Sequence, residues 1–193
     1  MNSNQTALLV MDVQGSIVEN LNQNKENYLK KIQKAVDFAH QNEILVIYIV
    51  VRFREGYPEL NLDNRMFANI KERSKNISID QENPLTSPVL KVTEKDLVIT
   101  KKRVSAFAGN DLEMILKAKN IKKLTLCGIA TSGVVLSTLR YAADQDYIIT
   151  VISDCCADQD EEVHNVLINK VFPRQAEVVS LDQWISGSRE LDD

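Results

Sequence analysis

Short, unbroken apolar runs recur along the chain, and amphipathic segments separate them. Residues 6–11 read TALLVM and residues 44–51 read ILVIYIVV. A strand that is apolar on both faces must be covered on both faces, which is typical of a parallel sheet between two layers of helices. The alternation therefore predicts an α/β fold of three layers, αβα, with a mostly parallel, doubly wound sheet of six strands, as in Rossmann-like proteins.

The remaining elements follow the same pattern. Strands are predicted at Thr6–Met11, Ile44–Val51, Lys95–Thr100, Lys123–Cys127, Tyr147–Ile152 and Glu177–Ser180. Apolar residues at helical spacing predict helices at Tyr28–Gln41, Asp111–Lys119, Gly133–Asp144 and Asp160–Lys170. The long exception is Arg52–Pro88, and a connection of that length in a compact domain is usually a lid, a binding loop or an oligomer contact.

Length and composition narrow the function classes. The 193 residues fit one domain, residues 1–193, and the net charge is −4, without a basic stripe that would suit nucleic acid. No apolar run is long enough to span a membrane, and the N-terminus lacks the features of a signal peptide, so we expect a cytoplasmic protein. Three cysteines without a CxxC pair fit a reducing compartment, and two histidines disfavour a metal site. We therefore expect no metal and no cofactor.

Charged residues follow the first three predicted strands. Asp12 follows the first, Arg52 and Arg54 follow the second, and Lys101 and Lys102 follow the third. Ligands of doubly wound sheets bind beyond these strand ends, so the acid and a lysine would meet in one crevice. Close opposite charges would keep the carboxylate ionised, whereas dominant desolvation would protonate it. Position alone does not choose between the two lysines, and the arginines fit either an anion site or ordinary surface charge.

The cysteines and the second histidine are interpreted as structural. Cys127 lies inside an apolar run, where cysteine behaves as a small core residue. Cys155 and Cys156 follow the fifth strand and could face the crevice, but neighbouring aspartates oppose thiolate formation. His164 lies in a helical stretch far along the chain from any nucleophile, so we expect a surface or packing role.

Three segments together suggest a family. LLVMDVQ, VITKKRVSAF and LCGIATSGVVLSTLRYAADQDYIITVISDCCAD resemble, in order and spacing, the signature blocks of the isochorismatase-like hydrolases. That superfamily includes isochorismatases, nicotinamidases and N-carbamoylsarcosine amidases. The resemblance extends from about residue 6 to residue 182 and implies the fold that the alternation predicts.

The resemblance also implies a set of site residues. The cysteine hydrolases of the family use an aspartate, a lysine and a cysteine, and these positions fall on Asp12, Lys101 and Val134. The family pattern further implies a non-proline cis peptide at Ile129–Ala130, which turns backbone N–H groups into the crevice as an oxyanion site. The substrate contacts that we expect are Gln14, Arg54, Phe107, Ile129, Ala130, Thr131 and Gly133.

A valine cannot act as a nucleophile, so the thioester chemistry of the family's amidases is not expected. The hydroxyls of Thr131, Ser132 and Ser137 are weak nucleophiles, and the sequence places no histidine nearby to serve as their base. Isochorismatases resemble this chain in lacking the nucleophile, with glycine at that position. Their vinyl ether substrates can be cleaved by protonating the double bond and adding water, which needs an acid of raised pKa and a cation beside it.

These features support three hypotheses. The first is a cysteine-independent hydrolase of a small molecule, with Asp12 as general acid or base and Lys101 as its electrostatic partner. The second is a binding protein of the same fold without turnover, and the third is an amidohydrolase that uses another nucleophile. The resemblance implies a homo-oligomer, a dimer or tetramer, with the segment RMFANI and the helix after Val134 as contact surfaces.

Overall fold

The computed structural model describes residues 5–68, 90 and 92–189. Its strands are β1 (Thr6–Met11), β2 (Leu45–Val51), β3 (Leu97–Lys101), β4 (Lys123–Ile129), β5 (Ile148–Ala157) and β6 (Glu177–Val179). Its helices include α1 (Gly15–Val18), α2 (Lys25–Gln41), α3 (Leu112–Ala118), α4 (Leu136–Asp144), α5 (Glu161–Val166) and α6 (Leu181–Arg189). A π-helical turn, Thr131–Val135, leads into α4, and the turns Leu167–Val171 and Phe172–Arg174 extend α5.

The strands form one sheet in the order β3-β2-β1-β4-β5-β6, and all of its pairings are parallel. The chain winds outward from β1 in one direction and from β4 in the other. The predicted doubly wound α/β fold is therefore confirmed. The switch point lies between β1 and β4, and ligands of doubly wound sheets bind beyond the strand ends at such a point.

Alternate residues of the central strands build two apolar layers. Leu9 and Met11 of β1 belong to the cluster that includes buried residues of α3 and α4. Leu8 and Val10 belong to the cluster that includes Ala35 and other buried residues of α2. Because successive strand side chains point to opposite faces, each face of the sheet is covered by helices.

The fifth strand is longer than predicted. It continues past Ile152 to Ala157, because its pairing with β4 resumes after an irregularity and ends at Ile129. The polar side chains in this extension have partners: the Ser153 hydroxyl donates to the Val179 carbonyl, and the Asp154 carboxylate accepts from the Leu181 amide. The strand predicted from apolar residues is too short, because a hydrophobicity pattern does not show the hydrogen bonds that polar strand residues form.

Most of the long connection after β2 lies outside the described residues, as do residues 69 and 70 of the RMFANI segment. In the described part of that segment, Phe67 is buried and its ring meets that of Phe53 edge to face at 6.2 Å. Met66 is exposed. The oligomeric state stays a prediction.

Candidate active site

The site is centred on an ion pair between the ends of two strands that are not neighbours. The Lys101 ammonium at the end of β3 lies 2.8 Å from Oδ2 of Asp12, which directly follows β1. The intervening strand is β2, so the side chains of Lys101 and Asp12 together bridge two strand spacings, about 10 Å in all. The side chains of Lys101 and Asp12 are only 3% and 9% exposed. The expected convergence of the two groups is confirmed, and their catalytic role stays a prediction.

Strand alternation distinguishes the two lysines that the sequence left unresolved. Lys101 points to the crevice, where its ammonium also donates to the Arg103 carbonyl at 2.9 Å. Lys102 is half-buried and lines a separate pocket with Thr100. Successive residues of a strand face opposite sides, so only one of the two can reach Asp12.

Burial controls the protonation of Asp12. It raises the pKa of this carboxyl to about 6, and the charge and hydrogen bond of Lys101 offset only part of that rise. Of the two alternatives that the sequence left open, desolvation dominates. The second oxygen, Oδ1, is buried and has no hydrogen-bond partner among the residues that the structure describes. An unpaired buried carboxylate oxygen costs free energy, so Oδ1 is the natural point of contact for a substrate or a water molecule.

The backbone of Asp12 departs from the extended strand conformation, and its carboxyl group is directed toward Lys101. Its φ is +55°, a left-handed value that aspartate tolerates better than most residues. The Asp12 amide donates to the Ile49 carbonyl at 2.8 Å, which anchors the turn to β2. The main chain of Asp12 is therefore held by Ile49, and its carboxylate is held by Lys101.

The corner at the end of β4 has the geometry that the resemblance implied. The peptide bond between Ile129 and Ala130 is cis, as expected. Gly128, just before it, has φ +144°, and a Cβ built there would lie 2.1 Å from the Met11 carbonyl oxygen. Only glycine permits this close approach of β4 to β1. The corner continues into the π-helical turn that carries Val134.

The position of the family nucleophile is apolar, and no thiol replaces it. Val134 is 2% exposed and belongs to the apolar cluster that covers one face of the sheet. All three cysteines are buried. Burial raises the pKa of Cys127 and Cys155 far above the usual range and that of Cys156 to about 12. These thiols stay protonated at neutral pH, and protonated thiols are poor nucleophiles.

The expectation that no histidine stands near the corner hydroxyls is wrong. Nδ1 of His164 lies 2.8 Å from the hydroxyl oxygen of Thr131. The two residues are brought together because α5 follows β5, the neighbour of β4. Burial lowers the pKa of His164, which favours its neutral form. Thr131 itself is completely buried, so its bond to His164 holds the corner and does not offer a nucleophile to solvent.

A second bond from the same region also stabilises the corner. The backbone N–H of Ser132 donates to the Asp158 carboxylate at 2.8 Å. Both His164 and Asp158 were missed as site-supporting residues because they follow β5. The parallel pairing of β4 with β5 was the available signal, since it brings the ends of these two strands together.

Two of the expected substrate contacts, Gln14 and Arg54, bond to other residues of the chain. The Gln14 side chain exchanges two hydrogen bonds with the backbone of Val51, at 2.7 and 3.2 Å, and so ties β1 to β2. Arg54 is exposed and forms an ion pair with Glu59 at 2.7 Å. The sequence could not reveal these directions, because each depends on a neighbour in space.

Phe107 also lies away from the crevice. Its ring stacks at 4.6 Å on Tyr141 of α4 and is 6.2 Å from Tyr147. Tyr147 precedes β5 and therefore lies at the opposite edge of the sheet. Ile129 and Gly133 flank the cis peptide corner, as does Ala130, and their substrate contacts stay predictions.

Within the described ranges, no group of three or more histidine, cysteine, aspartate or glutamate side chains is arranged to hold a metal ion. No helix in the part of the chain that the structure describes is long and apolar enough to cross a membrane.

Comparison with known proteins gives a consistent family. The family profile described as "Isochorismatase domain" matches residues 6–183. The isochorismatase family protein YecD of Escherichia coli O157:H7 is 37% identical over 98 residues, which is 51% of this chain and 52% of YecD. The isochorismatase family protein YwoC of Bacillus subtilis is 29% identical over 170 residues, 88% of this chain and 87% of YwoC.

An enzyme with a named activity is also similar. The ureidoacrylate amidohydrolase RutB of Acinetobacter baylyi is 29% identical over 173 residues, covering 79% of this chain and 70% of RutB. Among solved structures, a cysteine hydrolase from Pseudomonas syringae pv. phaseolicola superposes with a TM-score of 0.85 at 19% identity. That match covers 98% of this chain and 95% of the other. At this identity the likeness supports the fold alone.

Proposed function

Because the chain belongs to the isochorismatase family of hydrolases, we propose that it hydrolyses a small molecule without a cysteine nucleophile. The observation that carries the proposal is the buried pair of Asp12 and Lys101. The carboxyl group of this pair has a pKa of about 6, and its Oδ1 bonds to none of the described residues. A carboxyl group of that pKa exchanges protons readily near neutral pH. The valine at the nucleophile position leaves water as the attacking group.

The first reaction class is the cleavage of a carboxylated enol ether. Protonated Asp12 gives its proton to the carbon–carbon double bond, which leaves a carbon of oxocarbenium character. Water adds to that carbon, its spare proton returns to Asp12, and the hemiketal separates into an alcohol and a carbonyl compound. Lys101 donates one N–H to Asp12 and one to the Arg103 carbonyl. No other described residue accepts from this ammonium, so its third N–H can position a substrate oxygen.

The second class is hydrolysis of an amide or ureido compound, which the name of RutB suggests. Here the ionised Asp12 acts as general base on the attacking water. The N–H groups of the corner at Ile129–Ala130 would stabilise the tetrahedral oxyanion. The two classes require opposite protonation states of Asp12, so pH separates them.

The pH dependence of kcat/KM therefore distinguishes acid from base catalysis. If Asp12 is the acid, kcat/KM falls about tenfold per pH unit above the pKa of about 6, because the protonated form is lost. If Asp12 is the base, kcat/KM rises up to that pH and then reaches a plateau. The measurement is kcat/KM from pH 4.5 to 8.5 with the best substrate found. A profile without an inflection near pH 6 would contradict both assignments.

The substrate is sought with a panel of vinyl ethers, amides, ureido and carbamoyl compounds, with products followed by NMR in ¹⁸O-labelled water. Turnover of a vinyl ether favours the first class, and turnover of an amide or ureido compound favours the second. A binding protein of the same fold is the remaining alternative. Failure of every substrate, together with a tightly bound small ligand, would favour it.

Val134→Cys tests whether the rest of the family site is intact. We expect the new thiol to hydrolyse amides through an acyl-enzyme, which a valine cannot form, because Asp12 and Lys101 are already in place. The measurement is ammonia release from a set of amides, with mass spectrometry for an acyl-enzyme. The matched control is Val135→Cys, since Val135 is completely buried in the adjacent position. Equal activity in the two variants would refute the assignment of position 134.

A cytoplasmic location and a homo-oligomeric state stay predictions. On the described surface, Met114 of α3 and Tyr141 of α4 are exposed and belong to neighbouring helices, as a contact between copies would require. Light scattering of the purified protein gives the number of chains.

A further inference from the structure

A second polar pocket lies at the ends of β2 and β3, separate from the pair of Asp12 and Lys101. It is lined by Arg52, Phe53, Arg54, Glu55, Thr100 and Lys102 and has a volume of about 310 Å³. Volumes near 300 Å³ are at the lower end of the range for small-ligand sites. None of the residues assigned to the hydrolytic site, except the displaced Arg54, lines this pocket.

Two cations come together in it from neighbouring strands. Val51 and Lys101 are the last register partners of β2 and β3, and Arg52 and Lys102 directly follow them in the chain. The Arg52 amide donates to the Lys101 carbonyl at 3.2 Å, which keeps the strand ends together. Like charges on opposed strand residues repel each other. Repulsion between the two side chains therefore raises the free energy of the folded chain at this point, and a bound anion would offset that repulsion.

The charges of these two residues are not neutralised within the described chain. Arg54 has its partner in Glu59, but the side chains of Arg52 and Lys102 form no hydrogen bond or ion pair with any described residue. Glu55 is the single acidic residue among the described residues of the lining. The described lining therefore has an excess of positive charge, and Arg52 and Lys102 are both half-buried.

We propose that this pocket binds a small anion that carries a phosphate or carboxylate group. The planar guanidinium of Arg52 can hold two oxygens of such a group, and Lys102 supplies a point charge. The Thr100 hydroxyl is a further donor, and the Phe53 ring forms an apolar wall for the rest of the ligand. Lys101 and Asp12 are not among the residues that line this pocket, so the anion does not displace their ion pair. The proposal is independent of the proposed hydrolytic function.

The test is an NMR titration of backbone amides with inorganic phosphate and, separately, with succinate, at constant ionic strength kept with sodium chloride. We expect saturable shifts at Arg52, Thr100 and Lys102 with at least one of the two anions. Saturation by phosphate identifies a phosphate site, and saturation by succinate identifies a carboxylate site. Absence of saturable shifts with both, or equal shifts with chloride alone, overturns the proposal.

Variants provide the second measurement. Arg52→Gln and Lys102→Gln are each expected to weaken binding at least about tenfold, because each removes one cation and the charge-assisted hydrogen bonding that it supplies. The control is Lys119→Gln, which makes the same change of net charge on the exposed end of α3 and should leave the affinity unchanged. If Lys119→Gln weakened anion binding equally, the effect would come from net charge, and the proposal of a specific anion site would be refuted.

Discussion

Asp12→Asn is expected to lower kcat/KM by about 10²–10⁴-fold, the usual contribution of a positioned general acid or base. Asparagine keeps an oxygen that can accept from Lys101, so the ion pair becomes a hydrogen bond of similar geometry. It cannot exchange a proton with substrate or water. The measurement is kcat/KM with the substrate found in the screen. The control is Asp144→Asn, at the exposed end of α4, and a loss of activity equal to that of the control would contradict the assignment.

The same variant changes how stability depends on pH. The carboxyl pKa of Asp12 is raised from an ordinary 3.8 to about 6 in the folded chain. The folded state therefore holds a proton that the unfolded state has lost between these pH values, and the free energy of unfolding falls as pH rises. Over about two pH units the loss is about 3 kcal/mol, fully developed at pH 7.

Urea unfolding at pH 4, 5, 6 and 7 measures this effect. The wild type minus Asp12→Asn difference in unfolding free energy should decrease steadily across that interval, because the other titrating groups are common to both proteins. A difference that does not depend on pH would show that Asp12 keeps an ordinary pKa. The acid–base role would then lose its physical basis.

Gly128→Ala is expected to destabilise the fold by more than about 4 kcal/mol, which is an exceptional cost for one methyl group. The added Cβ would lie 2.1 Å from the Met11 carbonyl oxygen and 2.9 Å from its carbonyl carbon. These are backbone atoms of the adjacent strand, so no side-chain rotation relieves the clash. Strands β1 and β4 would have to separate where they hold Asp12 and the cis peptide corner. Urea unfolding and amide exchange of β1 measure the result.

The matched control for this variant is Gly109→Ala. Gly109 also has a positive φ, +74°, but nothing lies within 4 Å of a Cβ built there. Its cost is therefore conformational only, about 1–2 kcal/mol. The difference between the two variants isolates the close approach of the strands. If both cost the same, the contact with Met11 does not constrain position 128.

The features of the site that depend on the course of the main chain were predictable from the sequence. Apolar runs located the strands, and their parallel arrangement brought Asp12 and Lys101 to the same edge of the sheet. The choice of Lys101 over Lys102 followed from the family resemblance, and strand alternation explains it. The cis peptide at Ile129–Ala130 also followed from the resemblance.

Side-chain directions could not be predicted in the same way. Gln14 bonds to the backbone of Val51, and Phe107 packs against Tyr141, because the neighbours that capture them lie far away in sequence. His164 was missed for the same reason, since it is 33 residues from Thr131. Local patterns show which residues end a strand, but they do not show which partner each side chain finds.

The Arg103 carbonyl, which also accepts from Lys101, has a consequence for the proposed reaction. The ammonium is held by the Arg103 carbonyl at 2.9 Å, a main-chain group whose charge does not change during a reaction cycle. When Asp12 becomes neutral, the attraction between the two side chains weakens, yet the tether to the backbone persists. In the proposed mechanism the ammonium therefore stays in place while Asp12 is neutral, and no side-chain rearrangement is needed before the carboxylate forms again.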